Sequence, residues 1–170
     1  KSGSKVRCIS TKNTIDKPRS FFDNIDKWAK EQGASGLAYL TFEKEDSLSA
    51  KGPIGKFFSK ESLLEIMKKT NSNIGDSIFM ACGKPKDLQK IISQARDKIA
   101  KDLDLIDEDA FAFCWIVDYP MFEKDELTNK IKFSHNPFSM PQGDLTKKKF
   151  DNPLKILAYQ YDIVCNGIEL

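Results

Sequence analysis

The chain has 170 residues, enough for one domain of ordinary size or for a small domain followed by part of another. A hydrophobic content of 40% with 12 phenylalanines is typical of a packed core and excludes a disordered chain. Because 25 acidic residues balance 27 basic ones, the net charge of +2 provides no field that would hold nucleic acid by itself.

Three strands are predicted in the first part of the chain. Apolar, β-branched and aromatic residues are dense at 6–9, 36–42 and 78–82, which favours extended backbone. The segment 51–58 begins with Lys-Gly-Pro, and it is predicted to be a turn that leads into a helix.

Three helices are predicted between and after these strands. Pro18 and Pro85 are predicted to open the first and third helices, because proline fits the first turn of a helix. Gly33 is predicted to end the first helix, and Ser59 fits the N-cap of the second. The apolar face of the second helix is predicted to consist of Leu63, Leu64 and Met67. Strands alternating with helices indicate a compact α+β domain.

The second part of the chain differs in pattern. The acidic segment 102–109 lacks strong periodicity and is predicted to be a boundary. After it the predicted elements are mostly extended, with strands at 111–117, 131–133 and 161–170, a hairpin tip at 123–130, a loop at 136–144 and a helical start at 153. We therefore predict two domains, residues 1–108 and residues 109–170.

Four cysteines lie in or beside apolar, strand-like segments, namely Cys8, Cys82, Cys114 and Cys165. Their gaps are too wide and irregular for a zinc site. We expect buried free thiols in a reducing compartment. With no visible signal peptide or membrane span, the expected location is the cytoplasm.

No common catalytic motif is present, and the most informative polar segment is the loop around His135, the single histidine. The loop carries the His135 imidazole and the Asn136 amide on a backbone stiffened by Pro137 and Pro141. Such a loop could close over a small polar ligand, and an ordinary surface loop would have the same composition.

Three segments in the second part resemble a known family. They are WIVDYPMFE at 115–123, SHNPFSMP at 134–141 and YDIVCNGIE at 161–169. In this order they resemble the class II catalytic core of bacterial-type aspartyl-tRNA synthetases. Upstream, GLAY at 36–39 and GPIGKF at 52–57 resemble the GAD domain that is inserted into that core. The resemblance implies an antiparallel sheet with helices on one face, followed by a fragment of the class II antiparallel sheet.

The resemblance also implies roles for individual residues. His135 matches a histidine that contacts the bound aspartate, and Glu169 matches a carboxylate that holds ATP, usually through Mg²⁺. Asn136 stands where many relatives carry a second histidine, so it is a possible ligand contact that cannot titrate. For Asp118 a structural role is expected, either holding the turn at Pro120 or pairing with an arginine of the core.

The implied parent protein is an aspartate–tRNA ligase. In the implied reaction the aspartate carboxylate attacks the α-phosphate of ATP, giving aspartyl-adenylate and pyrophosphate, and the acyl group then passes to the terminal ribose of the tRNA. The implied partners and cofactors are tRNA, aspartate, ATP and Mg²⁺, and the implied assembly is a homodimer. The chain ends within a strand-like pattern, and the arginine-bearing motifs of the family would lie outside it. The isolated chain is therefore expected to be inactive and to bind tRNA weakly.

Two other readings remain open from the sequence. One is a non-catalytic GAD-type binding module, as in a subunit of the tRNA-dependent amidotransferase, in which residues 111–170 would have no counterpart. The other is a free-standing ligand-binding domain. Within the ligase reading, enzymes for tRNA-Asp alone and for both tRNA-Asp and tRNA-Asn fit equally. The strands at 111–117 and 161–170 are predicted to pair with each other, with the insert or with a symmetry mate.

Overall fold

The computed structural model describes residues 3–44, 47–125, 127–143 and 152–170. The chain divides into two compact units between Ile106 and Asp107. This division falls two residues before the boundary expected from the acidic segment. The assignment of the two units as separate domains stays a prediction.

The first unit combines an antiparallel sheet with three α-helices, which confirms the α+β class. Its strands are β1 (Lys5–Thr11), β2 (Ala38–Lys44), β3 (Leu48–Lys51) and β4 (Ser77–Gly83), and its helices are α1 (Arg19–Glu31), α2 (Lys60–Thr70) and α3 (Pro85–Asp102). A 3₁₀ turn lies at Gly55–Phe57. The strand order is β1-β4-β2-β3. The longest pairing joins β1 to β4 over seven residue pairs, from Lys5 opposite Gly83 to Thr11 opposite Ser77.

The ends of the helices follow the capping residues of the sequence. The Oγ of Ser59 accepts a hydrogen bond from the backbone N of Ser62 at 3.3 Å, which confirms the predicted N-cap of α2. Pro85 is the first residue of α3, as predicted. Gly33 adopts a φ of 87° just after α1, a conformation that glycine reaches without a steric penalty. Pro18 differs slightly from prediction, since it is the N-cap residue and α1 begins at Arg19.

Helices cover both faces of the sheet, so the expectation that they lie on one face is wrong. On one face Tyr39, Phe79 and Ala81 pack against α1 and α3. On the other face a second buried cluster joins α2 to the sheet through Leu40, Phe42, Leu63 and Ile78. The reason lies in β2 and β4, in which consecutive residues are buried, so that both faces of the sheet lose contact with water. Each face of such a sheet must be shielded from water by packed side chains, here those of the helices.

One residue of the predicted α2 face was placed wrongly. Leu63 is buried, but Leu64 is 59% exposed. Met67 packs against the sheet cluster as predicted, and Ile66 packs there in place of Leu64. The stripe on a helix is set by the orientation of the whole helix, and the apolar Leu64 lies just outside it.

The four cysteines are free, as predicted, but the expectation that they are buried is wrong. Cys8, Cys82 and Cys114 are exposed, and Cys165 is half-buried. Cys8 lies opposite Met80, on the sheet face that carries α2. The helix α2 covers this face only in part, so the thiol of Cys8 on the edge strand β1 stays accessible.

A buried carboxylate joins two loops of the first unit. Asp76 is 2% exposed and accepts hydrogen bonds from Lys12 Nζ at 2.9 Å, from Asn13 N at 2.9 Å and from Asn73 N at 2.8 Å. Burial of the carboxyl favours its neutral form, but these hydrogen bonds outweigh burial and lower the pKa of Asp76. Nearby, Ile15 N donates to Gly75 O at 3.0 Å. The loop between β1 and α1 is thereby fixed to the turn before β4.

The second unit is built from short antiparallel strands. They are β5 (Phe113–Ile116), β6 (Tyr119–Pro120), β7 (Phe122–Lys124), β8 (Ile131–Phe133), β9 (Met140–Pro141), β10 (Leu157–Tyr159), β11 (Asp162–Cys165) and β12 (Ile168–Glu169). They form the sheets β12-β11-β5 and β6-β10-β9 and the hairpin β7-β8. The hairpin confirms the predicted tip, and the pairing of β5 with β11 confirms the predicted partnership of segments 111–117 and 161–170.

Two predictions for the second unit were wrong in detail. The segment 161–170 is a hairpin rather than one strand. The helical start at Pro153 is a single 3₁₀ turn, Pro153–Lys155, before the strand β10. Asp144, the last residue of the predicted loop, lies outside the described residues.

We predict that Asp76→Asn lowers the free energy of unfolding of the chain by about 1–3 kcal/mol at pH 7, because the amide cannot accept all three hydrogen bonds as strongly as a carboxylate. Since the folded-state pKa of Asp76 is lowered, its stabilising effect is present above the unfolded pKa of about 4 and is lost as the pH falls further. The difference between parent and variant should therefore shrink below about pH 4. Urea denaturation followed by circular dichroism measures this, with the exposed Asp97→Asn as control. An equal loss at pH 7 and at pH 3 would contradict the prediction.

Candidate functional site

The two residues singled out by the family resemblance meet at one tyrosine. The rings of His135 and Tyr119 form a T-shaped contact, with their centroids 4.8 Å apart and their planes at 84°. The Tyr119 hydroxyl donates a hydrogen bond to Oδ2 of Asp162. The negative charge of Glu169 also acts on this hydroxyl. His135, Tyr119, Asp162 and Glu169, which we call the Tyr119 cluster, thus join the loop after β8 to strands β6, β11 and β12.

A tight turn sets the position of Glu169. Asn166 and Gly167 connect β11 to β12 with φ values of 50° and 82°, as a two-residue hairpin turn of the Asn-Gly type requires. The Asn166 side chain also accepts from Ala112 N and donates to Ala110 O, both at 2.9 Å. The turn is therefore anchored to the chain that leads into β5. This explains physically why an Asn-Gly pair precedes Glu169 by two residues.

Two carboxylates lie on one face of the β12-β11-β5 sheet. Glu169 is paired with Val164, and Asp162 precedes Val164 by two residues on the same strand. Since side chains alternate along a strand, Asp162 and Glu169 point to the same side. Carboxylate oxygens are the ligands that Mg²⁺ prefers, and ATP phosphates could complete its coordination. The donor set therefore fits a nucleotide-bound Mg²⁺, although no cluster of three or more metal-ligating side chains occurs among the described residues.

The same carboxylates change the acidity of Tyr119. The hydrogen bond to Asp162, followed by desolvation and by the charges of Asp162 and Glu169, raises the pKa of Tyr119 to about 12. The phenol is consequently protonated throughout the physiological range. It can hold Asp162 in place and present its ring to His135 without changing charge.

The loop that carries His135 is fixed mainly by its own polar groups. Oδ1 of Asn136 accepts from Phe138 N at 2.9 Å, and the Asn136 carbonyl accepts from Ser139 N at 3.1 Å. The amide oxygen of Asn136 is therefore used to close its own turn. The side chain of Phe138 is 91% exposed at the tip of the loop.

Asp118 has the structural role that its motif suggested, but with a different partner. Its backbone has a φ of 59°, and its Oδ1 accepts from Gln142 Nε2 at 2.8 Å. Gln142 also donates to Ala158 O at 3.1 Å. Asp118 thus helps to fasten the end of the His135 loop to β10, and the roles expected for it at the Pro120 turn or with an arginine of the core stay predictions.

Sequence analysis missed Tyr119 and Asp162. The sequence did contain one indication of Asp162. It lies seven residues before Glu169, and the two residues are on the two strands of a hairpin whose turn is Asn-Gly. That spacing places both carboxylates on one sheet face. Tyr119 gave no such signal, because its partners His135 and Asp162 are distant in the chain. The ligand-binding roles expected for His135, Asn136 and Glu169 stay predictions.

The first unit matches a known domain family in sequence. Residues 1–92 match the family model of the GAD domain, and the chain belongs to that family. The match covers β1 to β4 with α1 and α2, and the start of α3. Across the described residues, no helix has both the length and the apolar character needed to cross a membrane.

Named relatives extend the match to the second unit. The chain is 79% identical over all 170 residues to the aspartate–tRNA(Asp/Asn) ligase of Pelagibacter ubique, of which it covers 29%. It is 49% identical over 170 residues to the corresponding ligase of Ehrlichia chaffeensis and 47% identical over 169 residues to that of Gluconobacter oxydans, covering 28% of each. The resemblance to aspartyl-tRNA synthetases is thus confirmed, and the chain spans less than a third of the length of these relatives.

We predict that one of the four tyrosines ionises at about pH 12 and that it is Tyr119. Absorbance at 295 nm during alkaline titration measures this. Asp162→Asn should lower the Tyr119 midpoint toward pH 10, because the charged acceptor is removed. Tyr119→Phe should abolish the component near pH 12, whereas Tyr159→Phe should leave it in place. A component near pH 12 that is the same in the parent and in Asp162→Asn would show that the hydrogen bond does not control the phenol.

Proposed function

We propose that the chain is part of an aspartate–tRNA ligase. In this proposal the first unit is its GAD insert, and the second unit contributes to the site where aspartate and ATP react. The observation that carries the proposal is the 79% identity to such a ligase along the whole chain, through both units. The Tyr119 cluster supports it, because it brings the predicted aspartate contact near the predicted ATP contact.

Each residue of the cluster has a task in this proposal. His135 contacts the substrate aspartate from its loop, and Asn136 shapes that loop through its bond to Phe138 N. Glu169 and Asp162 would hold Mg²⁺ together with ATP, and the ion would supply charge neutralisation at the phosphates. Tyr119 orients Asp162 and supports the imidazole, so these groups keep their positions while the substrates bind.

The relatives suggest the range of substrates. Their printed names give both tRNA-Asp and tRNA-Asn. We therefore propose a parent protein that aspartylates both tRNAs and acts in the cytoplasm as a homodimer. The isolated chain is proposed to be inactive and to bind tRNA weakly, since its charges are balanced.

A GAD-type binding module outside a ligase is less well supported. The GAD model ends at residue 92, but similarity to the ligases continues through the second unit. An amidotransferase subunit offers no explanation for the Tyr119 cluster. The cluster therefore favours the ligase.

A chimera tests the proposal directly. The matching stretch of the Pelagibacter ubique ligase is replaced by residues 1–170, and aspartate-dependent ATP–pyrophosphate exchange is measured. The chimera should remain active, and Glu169→Gln within it should reduce exchange by at least ~100-fold, because a neutral amide binds the ATP-bound ion poorly. Asp162→Asn should also reduce exchange. Glu31→Gln, an exposed carboxylate in the first unit, serves as the matched control.

Two results would contradict the proposal. One is a folded chimera without exchange activity, and the other is full activity in Glu169→Gln. Charging of tRNA-Asp and tRNA-Asn by the same chimera tests the substrate range. The isolated chain should show no exchange and no sub-micromolar, steeply salt-dependent binding of tRNA.

A further inference from the structure

A cleft in the first unit has no part in the proposed ligase chemistry. It lies between the β1–α1 loop with the start of α1 on one side and the β2–β3 hairpin on the other. Its volume is about 720 Å³, within the usual range for small-molecule sites. Lys17 and Arg19 line the first side, and Lys44 and Lys51 line the second. We call it the basic cleft.

The charge of the basic cleft is more positive than that of the chain. Four cationic side chains line it, against two carboxylates, Asp16 and Glu43. Glu43 and Lys51 neutralise each other, because Glu43 Oε1 lies 2.5 Å from Lys51 Nζ. Arg19 shares its charge with Asp23 at 3.2 Å, and both of these side chains are largely exposed. Lys17 and Lys44 then stand against Asp16 alone, and this remaining positive charge favours an anionic ligand.

The start of α1 adds to this preference. No side chain caps the helix at Pro18, and the first turn contains no acidic residue. Lys17 and Arg19 flank this end, where the helix dipole disfavours cations. A bound anion would relieve this repulsion and would interact favourably with the helix terminus.

The Tyr39 hydroxyl in the wall of the cleft is available to a ligand. Tyr39 is only 7% exposed, but no buried side-chain oxygen or nitrogen among the described residues lacks a partner, so its unpaired hydroxyl must reach the surface of the cleft that the residue lines. Its ring is held by stacking on Phe22, with centroids 4.5 Å apart. Burial, followed by the charge of Asp23 and opposed by Arg19, raises the pKa of Tyr39, so the hydroxyl remains a neutral donor. The hydroxyl can therefore donate a hydrogen bond to a ligand in the cleft.

The rim of the cleft offers apolar surface to the rest of a ligand. Ile15 and Ile74 are 38% and 42% exposed there, and Pro53 lies opposite. Along the rest of α1 the lysines Lys27 and Lys30 are interspersed with carboxylates, and Lys30 is paired with Asp26 at 2.6 Å, so the helix carries no continuous track of free cations. A strand of RNA needs such a track, whereas a single small molecule does not.

We propose that the basic cleft binds a small organic anion of about the size of a nucleoside monophosphate. Its phosphate or carboxylate lies between Lys17 and Arg19 at the start of α1. Its hydroxylated part meets Tyr39, and its planar or apolar part packs against the exposed isoleucines. This site lies wholly within the first unit and does not depend on the proposed ligase activity.

Isothermal titration calorimetry of the 170-residue chain with AMP tests the proposal. Saturable 1:1 binding is expected, with adenosine and inorganic phosphate each at least ~10-fold weaker, because each lacks half of the contacts. Lys17→Gln and Arg19→Gln should each weaken AMP by ~10-fold, and Tyr39→Phe by ~5-fold. Asp23→Asn should not weaken it, because it releases Arg19.

Lys27→Gln is the matched control, since it removes an exposed charge from the same helix outside the cleft, and it should change affinity less than twofold. Thermal unfolding of each variant establishes that it is folded. The proposal is overturned by an absence of saturable AMP binding, by equal weakening in Lys27→Gln, or by inorganic phosphate competing as well as AMP. A single-stranded RNA 12-mer that binds more tightly than AMP would also overturn it and would assign the cleft to RNA.

Discussion

The first unit depends on a carboxylate that water does not reach. Asp76 must satisfy its oxygens within the protein, and it does so with donors from two loops that are far apart in sequence. A buried charge that loses its partners is strongly destabilising, so this arrangement leaves little freedom to either loop. One consequence is the fixed course of the β1–α1 loop through Ile15, whose backbone is bonded to Gly75. Ile15 and Asp16 of that loop line the basic cleft, so the same hydrogen bonds fix one of its sides.

The second unit depends on turns and on one side-chain pair rather than on a large core. The Asn166–Gly167 turn fixes β12 against β11, and the bond from Tyr119 to Asp162 joins two of its sheets. Around them Phe111, Phe113 and Trp115 are 60% exposed or more. Apolar surface of this extent is typical of an interaction face. In the proposed ligase, the remainder of the catalytic core would cover it.

Local signals in the sequence were sufficient to predict the helices and most of the strands. Ser59, Pro85 and Gly33 act at the helix ends through interactions within a few residues, so their effects can be predicted without a fold. The strand β3 could not be predicted in this way, because LSAK has no strong strand pattern and is extended through its pairing with β2. The exposure of Leu64 depends on how α2 lies on the sheet, which no local pattern contains.

Long-range effects account for the other differences between prediction and structure. Burial of the cysteines was expected from apolar neighbours in the chain, but exposure at Cys8 depends on how much of the sheet α2 covers. The family resemblance pointed to His135 and Glu169, and only the three-dimensional structure joined them through Tyr119. The basic cleft had no sequence signal at all. Its cations come from separate segments, and each alone resembles an ordinary surface lysine or arginine.

The pairing of β1 with β4 has a consequence for how the protein folds. Lys5 and Gly83 are neighbours in the sheet although nearly the whole GAD domain separates them in the chain. Ordering so long a loop before any contact stabilises it makes such pairing slow. During synthesis β1 must wait on the ribosome until β4 has emerged. In that interval β1 and β2 lack their common partner β4. Their unpaired edges are then open to aggregation unless aggregation is slow or chaperones bind them.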